Sequence, residues 1–207
     1  MIAERWNHDI AYHGLVLRAV PVGARRALDV GSGDGALARA LAAVVPEVWA
    51  LDPDAPTLAR AAAEDRGQGV RYIHGDLCTT PLPDAAFDLV AAVASLHHMD
   101  ERAALGRMAS LLRPGGRLVV IGVGRADLPH DLPYEVVGAV LNRLYQATRG
   151  FWRSGAPTRP PTRSYADMRR LAEAALPDVR YRRHVLFRYS LLWTRPAEVP
   201  AGRGGGR

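Results

Sequence analysis

Short apolar runs alternate along the chain with longer segments in which apolar residues recur every three or four positions. The runs have the length of β-strands, and the longer segments have the period of amphipathic helices. The pattern predicts strands at 26–30, 47–51, 70–74, 87–93, 117–123, 179–185 and 188–194, and helices at 5–20, 35–45, 55–65, 100–112, 134–148 and from Ser164 to Pro177. This alternation indicates an α/β fold in which helices cover both faces of a mainly parallel sheet.

The length of the chain favours a single domain. A chain of 207 residues can bury one sizeable core, and the alternation of elements extends over residues 1–195. It is interrupted over 124–163, where prolines flank one amphipathic helix. The last stretch is rich in Pro, Ala, Gly and Arg, so we expect 196–207 to be a disordered tail.

Charge and cysteine content narrow the classes of protein. The net charge is +6, and all 27 basic residues are arginine. Because alanine, glycine, proline and arginine are abundant together, as GC-rich coding DNA produces, this charge alone does not indicate a nucleic-acid partner. Cys78 is the single cysteine, which excludes an internal disulfide, and no signal peptide or run of membrane-spanning length is visible. We therefore expect a cytoplasmic protein without a nucleic-acid partner or a membrane span.

The most informative segment is a glycine loop between the first predicted strand and its helix. Gly31, Gly33 and Gly35 alternate there, directly after an apolar run that contains Asp29. Glycine allows backbone angles that other residues avoid and lets a ligand lie against the main chain. The helix that follows adds free N–H groups. Since Gly31, Gly33 and Ala36 also fit the G-x-G-x-x-G/A pattern of dinucleotide enzymes, the loop alone does not identify the ligand.

Further acidic residues follow the second and third strands. Asp52 lies 21 positions after Gly31, where a carboxylate can accept both hydroxyls of a ribose. Asp76 follows the third strand, and Leu112-Arg-Pro-Gly-Gly-Arg-Leu118 precedes the fifth. With Asp29 and the glycine loop, this ordered set resembles the class I S-adenosylmethionine-dependent methyltransferases, over about Trp6 to Trp193.

The resemblance implies a Rossmann-like, doubly wound sheet of seven strands in the order 3-2-1-4-5-7-6, with strand 7 antiparallel. It also implies a first helix, within 1–22, that covers the cofactor pocket, with Trp6, His8, Tyr12 and His13 on it. S-adenosyl-L-methionine would be the cofactor. The residues implied to bind it are Tyr12, His13, Asp29, Gly31, Ser32, Gly33, Gly35, Asp52, Pro53, Asp76, Leu77 and Ala94.

Individual roles follow from the family, and each has a purely structural alternative. Asp29 would hold the amino group of the methionine part, or it would cap the N–H groups of the loop. Asp52 would bind the ribose, or it would cap the helix that begins near Ala55. Pro53 would flank the adenine, Asp76 would accept from its amino group while Leu77 packs on the ring, and Asp76 could equally cap a turn.

Two histidines follow the fourth strand, where the methyl group should face its acceptor. His97 and His98 are the candidates for a general base because imidazole titrates near neutral pH. Many methyltransferases, however, work mainly by proximity and orientation. No third ligand stands at a useful spacing, so we expect no metal site.

The segment 124–163 is expected to line the acceptor pocket, with Tyr134, Leu141, Tyr145, Phe151 and Trp152. The chain resembles the small-molecule branch of the family, which includes quinone and natural-product methyltransferases. The loop after the fourth strand lacks the Asn/Asp-Pro-Pro-aromatic element of the enzymes that methylate nucleic-acid amino groups. We therefore expect a small, partly apolar acceptor. An RNA-modifying methyltransferase, an NAD(P)-dependent oxidoreductase and a non-catalytic binding protein remain the alternatives.

Overall fold

The computed structural model describes residues 9–65, 67, 69–149 and 159–197. Its strands form one seven-stranded sheet in the order β3-β2-β1-β4-β5-β7-β6. Neighbouring strands among β1 to β5 are parallel, and β7 is antiparallel to both β5 and β6. The strands are β1 Arg26–Val30, β2 Glu47–Asp52, β3 Val70–His74, β4 Phe87–Val93, β5 Leu112–Gly122, β6 Arg180–His184 and β7 Arg188–Thr194. The predicted fold class and strand order are confirmed.

Helices cover both faces of this sheet. They are α1 Ile10–Ala19, α2 Ala36–Ala42, α3 Ala55–Glu64, α4 Glu101–Leu111, α5 Leu132–Arg149 and α6 Tyr165–Ala175, with a 3₁₀ turn at Leu96–His98. Because successive strand residues point to opposite faces, Ala27 packs with α1 and α2, whereas Leu28 packs with α4 and α6. The core therefore has two layers, one on each side of the sheet.

Element boundaries differ from the prediction where tertiary contacts decide them. β5 begins at Leu112 rather than at 117, because Gly115 and Gly116 exchange backbone hydrogen bonds with Arg195. α2 ends at Ala42, before the predicted 45, and α5 extends beyond 134–148 at both ends. The first part of the predicted helix 5–20, with Trp6 and His8, lies outside the described residues, as does most of the predicted tail.

The turn between β6 and β7 contains no glycine or asparagine, although its backbone conformation favours those residues. Leu186 and Phe187 both adopt left-handed backbone angles there, with φ of 57° and 62°. Non-glycine residues rarely adopt this conformation, so sequence pattern alone could not place the turn.

The start of α6 is as predicted, since the backbone N–H of Asp167 donates to the Ser164 hydroxyl at 3.1 Å.

Candidate active site

A cleft of about 670 Å³ opens at the carboxyl ends of the parallel strands. It lies where the strand order reverses, since β1 and β4 are neighbours at the centre of the sheet. Ligands of doubly wound sheets bind at this position. The loops after β1, β2 and β4, the start of α1 and the β6–β7 turn supply most of the lining.

Two glycines of the loop after β1 meet the cleft in different ways. Gly31 has a φ of 68°, and a Cβ there would lie 2.3 Å from the Cβ of Ser95. The Ser95 hydroxyl donates to the Val30 carbonyl at 2.7 Å, which joins the ends of β4 and β1. Gly33 has a φ of 53°, but a Cβ there would meet no protein atom within 4 Å. Gly31 thus allows the two loops to pack, whereas Gly33 leaves the cleft open to a ligand.

The remaining predicted residues of this loop divide between cleft and scaffold. Ser32, Asp34 and Ala36 line the cleft, although only Ser32 was predicted. Gly35, with a φ of 74°, is the N-cap of α2 and does not line the cleft. A Cβ on Gly35 would lie 2.9 Å from Nη1 of Arg39, so Gly35 acts by allowing the turn.

Asp52 places a buried carboxylate at the end of β2. Its Oδ2 accepts from the backbone N–H of Gly33 at 2.7 Å, and its Oδ1 accepts from that of Asp54 at 2.8 Å. Asp54, rather than Asp52, caps α3 by accepting from the N–H of Thr57 at 3.0 Å. Asp52 and Pro53 both line the cleft. Since each carboxylate oxygen has a second lone pair, Asp52 can still accept from a pair of ligand hydroxyls.

The carboxyl group of Asp29 is buried near the end of β1. Its side chain is 1% exposed, lines the cleft, and has no hydrogen-bond partner for Oδ2 among the described residues. Loss of solvation raises the pKa of Asp29 to about 8, and the charges of Asp52 and Asp34 act in the same direction. A cation bound beside this group would restore the stability of its ionised form.

Besides Gly35, three predicted cofactor contacts do not line the cleft. Asp76 is exposed and accepts from the N–H of Cys78 at 2.8 Å, so it caps its own turn. Leu77 is 1% exposed and belongs to the hydrophobic core. The Tyr12 hydroxyl donates to the Val185 carbonyl at 2.5 Å, which ties α1 to the β6–β7 turn. His13, the next residue of α1, does line the cleft.

The two candidate bases lie together after β4. The rings of His97 and His98 are 4.1 Å apart between centroids, and both line the cleft with Ala94. Desolvation lowers the pKa of His97 to about 4, with the neighbouring His98 adding to the effect. Desolvation and the charge of Arg159 lower the pKa of His98. Burial therefore favours the neutral form of both imidazoles, and with a pKa of about 4 His97 is a weaker base than a free histidine.

The far end of the cleft contains residues that sequence reasoning missed. Tyr165, Phe187 and Arg188 line it, together with Arg159 and Val123. These residues follow different elements and share no local motif, so no pattern in the chain pointed to them. Conversely, Tyr134, Leu141 and Tyr145 of α5 do not line the cleft, and Phe151 and Trp152 lie outside the described residues.

The lining at the glycine-loop end fits S-adenosylmethionine. An orphaned buried carboxyl at Asp29 suits a cationic amino-acid end, and the Asp52 carboxylate suits a ribose. The open space beside Gly33 leaves the main chain accessible. A Rossmann-like sheet with this strand order and these acids defines the class of nucleoside-binding α/β enzymes to which class I methyltransferases belong.

Comparison with known proteins identifies the family. The Methyltransferase domain family matches residues 28–120. An uncharacterized methyltransferase of Mycobacterium tuberculosis is 37% identical over 93% of this chain and 98% of its own. A demethylmenaquinone methyltransferase of Thermus thermophilus is 39% identical over 56% of this chain and 53% of its own.

Among solved structures, an S-adenosylmethionine-bound amino pentose methyltransferase of Micromonospora echinaspora is 29% identical, with a TM-score of 0.50. The match covers 60% of this chain and 53% of that one. The chain belongs to the S-adenosylmethionine-dependent methyltransferases, and S-adenosyl-L-methionine is its cofactor.

Within the part of the chain that the structure describes, no group of three or more His, Cys, Asp and Glu side chains could hold a metal ion. Over the same residues, no helix combines the length and apolarity that crossing a bilayer requires.

Proposed function

We propose that the protein methylates a small, partly apolar molecule that binds at the far end of the cleft. The cofactor would occupy the end formed by the loops after β1 and β2. The observation that carries this proposal is the contrast along the cleft, which is acidic at the glycine loop and lined by Val123, Tyr165 and Phe187 at the other end. The quinone and sugar methyltransferases among the relatives support an acceptor of this size.

Five residues would contact the cofactor. The Asp52 carboxylate would accept the ribose hydroxyls, and Gly33 would let the ligand lie against the backbone. Asp29 would face the amino group of the methionine part, and His13 would approach the methionine carboxylate from α1. Pro53 would flank the adenine, because it follows Asp52 on the same edge of the cleft.

The chain would act mainly by orientation and by exclusion of water. S-adenosylmethionine supplies an electrophilic methyl group on a sulfonium sulfur. The protein holds the acceptor in line with that group, and the apolar walls keep water out. His97 and His98, neutral and adjacent to the reacting region, would accept a proton from an acceptor that carries one.

The alternatives have less support than this proposal. Family membership favours methyl transfer over hydride transfer and over a non-catalytic role. An RNA acceptor would need a basic surface leading into the cleft. Of the two arginines that line it, Arg188 is buried and only Arg159 is exposed. The cytoplasmic location stays a prediction.

Calorimetric titration with S-adenosylhomocysteine and with NADH tests the assignment of the cleft. The wild-type protein should bind the first and not the second. Asp52→Ala should weaken S-adenosylhomocysteine binding by about 100-fold, since two charge-assisted hydrogen bonds are lost.

Asp100→Ala is the matched control for this experiment. Asp100 also follows a loop and accepts a backbone N–H, that of Ala103 at 2.9 Å, but it does not line the cleft. Equal affinities of the two variants would show that the ribose site lies elsewhere.

A further inference from the structure

The far end of the cleft contains a buried cation. Arg188, the first residue of β7, is only 8% exposed and lines the cleft. Its Nε and Nη2 donate to the same oxygen of Asp9, Oδ1, at 3.1 and 2.8 Å. Its Nη1 donates to the Phe187 carbonyl at 3.2 Å. Guanidinium has five N–H donors, so these described contacts leave two for a ligand.

The position of Arg188 separates it from the cofactor loop. In the sheet order, β4 and β5 lie between β1 and β7, so the two strands are about 14 Å apart at three strand spacings. Because β7 is antiparallel, its first residue lies at the end of the sheet where the parallel strands finish. Arg188 therefore reaches the same cleft as the glycine loop, but from the opposite side.

The turn before Arg188 fixes the guanidinium in place. Nη1 of Arg183 donates to the carbonyls of Arg188 and His184, both at 2.9 Å, and its Nη2 is paired with Glu135 of α5. The Tyr165 hydroxyl donates to the Phe187 carbonyl at 3.1 Å. Backbone strain of the kind seen at Leu186 and Phe187 persists only where surrounding contacts enforce it, and it concentrates at ligand sites.

Asp9 is the acid paired with Arg188. Arg159 also lines the cleft, but it is exposed and its charge acts on His98, as does that of Asp52. Guanidinium stays charged at all physiological pH values, and its planar fork matches a carboxylate. The walls beside it are apolar and aromatic, with Val123, Tyr165 and Phe187.

We propose that Arg188 binds a carboxylate group of the methyl acceptor. The acceptor would be an organic acid with an apolar body. This inference rests on the proposed function, because it assumes that the acceptor occupies the far end of the cleft. It makes Arg188 a residue that determines substrate specificity.

The test uses matched pairs of ligands that differ in one charge. The protein is first saturated with S-adenosylhomocysteine, and then titrated calorimetrically with straight-chain and aromatic monocarboxylic acids and with their primary amides. At least one acid should bind about tenfold or more tighter than its amide, because only the acid forms charge-assisted bonds with the guanidinium. Arg188→Met should remove that difference.

Two further variants separate ligand binding from a structural role. Asp9→Asn keeps the shape of the Arg188 partner but removes its competing charge, so it should tighten acid binding severalfold. Arg188→Lys, which keeps the charge without the fork, should retain part of the preference. If Arg188 served only to fasten α1, Asp9→Asn and Arg188→Met would lower the melting temperature alike, and neither would change the ratio of acid to amide affinity.

The outcomes distinguish this inference from the proposed function. If S-adenosylhomocysteine binds but no acid binds better than its amide, the carboxylate subsite is refuted and the methyltransferase cleft stands. If Arg188→Met weakens S-adenosylhomocysteine itself and leaves the acid preference intact, Arg188 belongs to the cofactor and the inference is also refuted. If the wild-type protein does not bind S-adenosylhomocysteine, the proposed cleft fails first.

Discussion

The two ends of the cleft differ in charge and in the chain segments that form them. The end beneath the glycine loop is acidic, with Asp29, Asp34 and Asp52, and it is built from loops close together in the sequence. The far end has Arg188, which is paired with Asp9, and its aromatic residues Tyr165 and Phe187 come from segments late in the chain. S-adenosylmethionine has two positive groups and one negative group, so an acidic end suits it.

We expect the charge of the two ends to depend differently on pH. Burial raises the pKa of Asp29 to about 8, so the charge at the cofactor end depends on pH and on what is bound. Arginine, unlike a carboxyl group, carries its charge at every physiological pH. The cofactor end can therefore exchange a proton on binding, while the far end provides a fixed field.

The largest expected effect comes from blocking the cofactor end alone. Gly33→Val should lower the affinity for S-adenosylhomocysteine by about 100-fold or more, since the new side chain would extend into the open cleft. Isothermal titration calorimetry measures it. Gly23→Val is the control, because Gly23 also has a positive φ and open space but does not line the cleft.

Both glycine variants should lose similar stability from backbone strain. Only Gly33→Val should lose affinity, and acid binding at the far end should survive in both. Wild-type affinity in Gly33→Val would show that the ligand does not lie against this loop.

The next effect is a pH dependence that belongs to the cofactor end. Binding of a cationic amino group beside Asp29 requires the ionised carboxylate, whose pKa is about 8 in the free protein. The affinity for S-adenosylhomocysteine should therefore rise by up to about tenfold per pH unit between pH 6 and 8. Asp29→Asn should abolish this slope, and a slope unchanged by that substitution would assign the titration to another group.

The titration of Asp29 should also change the free energy of unfolding of the ligand-free protein with pH. Between pH 6.5 and 8 the folded protein keeps a proton on Asp29 that the unfolded chain has released, so the free energy of unfolding should fall by about 2 kcal/mol as the pH rises. Below pH 6.5 the sign reverses. His13 and His97, with folded pKa values of about 4, bind protons more readily when unfolded. Chemical denaturation should show a maximum near pH 6.5, and Asp29→Asn should remove its alkaline decline.

A smaller effect is expected at the histidines between the two ends. His97→Gln and His98→Gln should each lower kcat by less than about tenfold, because orientation rather than proton transfer supplies most of the rate. The exposed His130→Gln serves as the control. A loss of about 100-fold or more would identify a general base, since that is the usual contribution of one.

The smallest effect is expected at the hydrogen bond that joins α1 to the β6–β7 turn. Tyr12→Phe removes the hydrogen bond to the Val185 carbonyl and should lower the free energy of unfolding by about 1 kcal/mol. Cofactor affinity should change by less than about threefold, because Tyr12 does not line the cleft. Tyr134→Phe, at an exposed tyrosine, should be nearly neutral in the same denaturation experiment.

The sequence pointed to one end of the cleft because that end is formed by local motifs. Gly31, Ser32, Gly33 and Asp52, which the family resemblance named as cofactor residues, line the cleft, whereas Gly35 does not. Asp76 and Tyr12 do not line it either, because orientation within an element decides what a side chain reaches. Adjacent residues of a helix point about 100° apart, so His13 faces the cleft while Tyr12 faces the β6–β7 turn.

The far end could not be predicted from local pattern for a different reason. Arg188 becomes relevant only after β7 inserts beside β5 in the antiparallel direction. The sequence predicted that residues of α5 would line the acceptor pocket. Instead Gly138 packs so closely on Phe187 that a Cβ added at this glycine would lie 3.0 Å from the ring. Val136, Val140 and Leu144 of the same helix are exposed.

The antiparallel last strand has a consequence for how such proteins diversify. The hairpin of β6 and β7 meets the cleft only at its tip, at Phe187 and Arg188, while its other residues complete the sheet. Substitution of a few residues at this tip could change which acceptor binds, while the residues at the nucleoside end of the cleft stay the same. One scaffold would then serve many acceptors, with selection acting on a segment of a few positions.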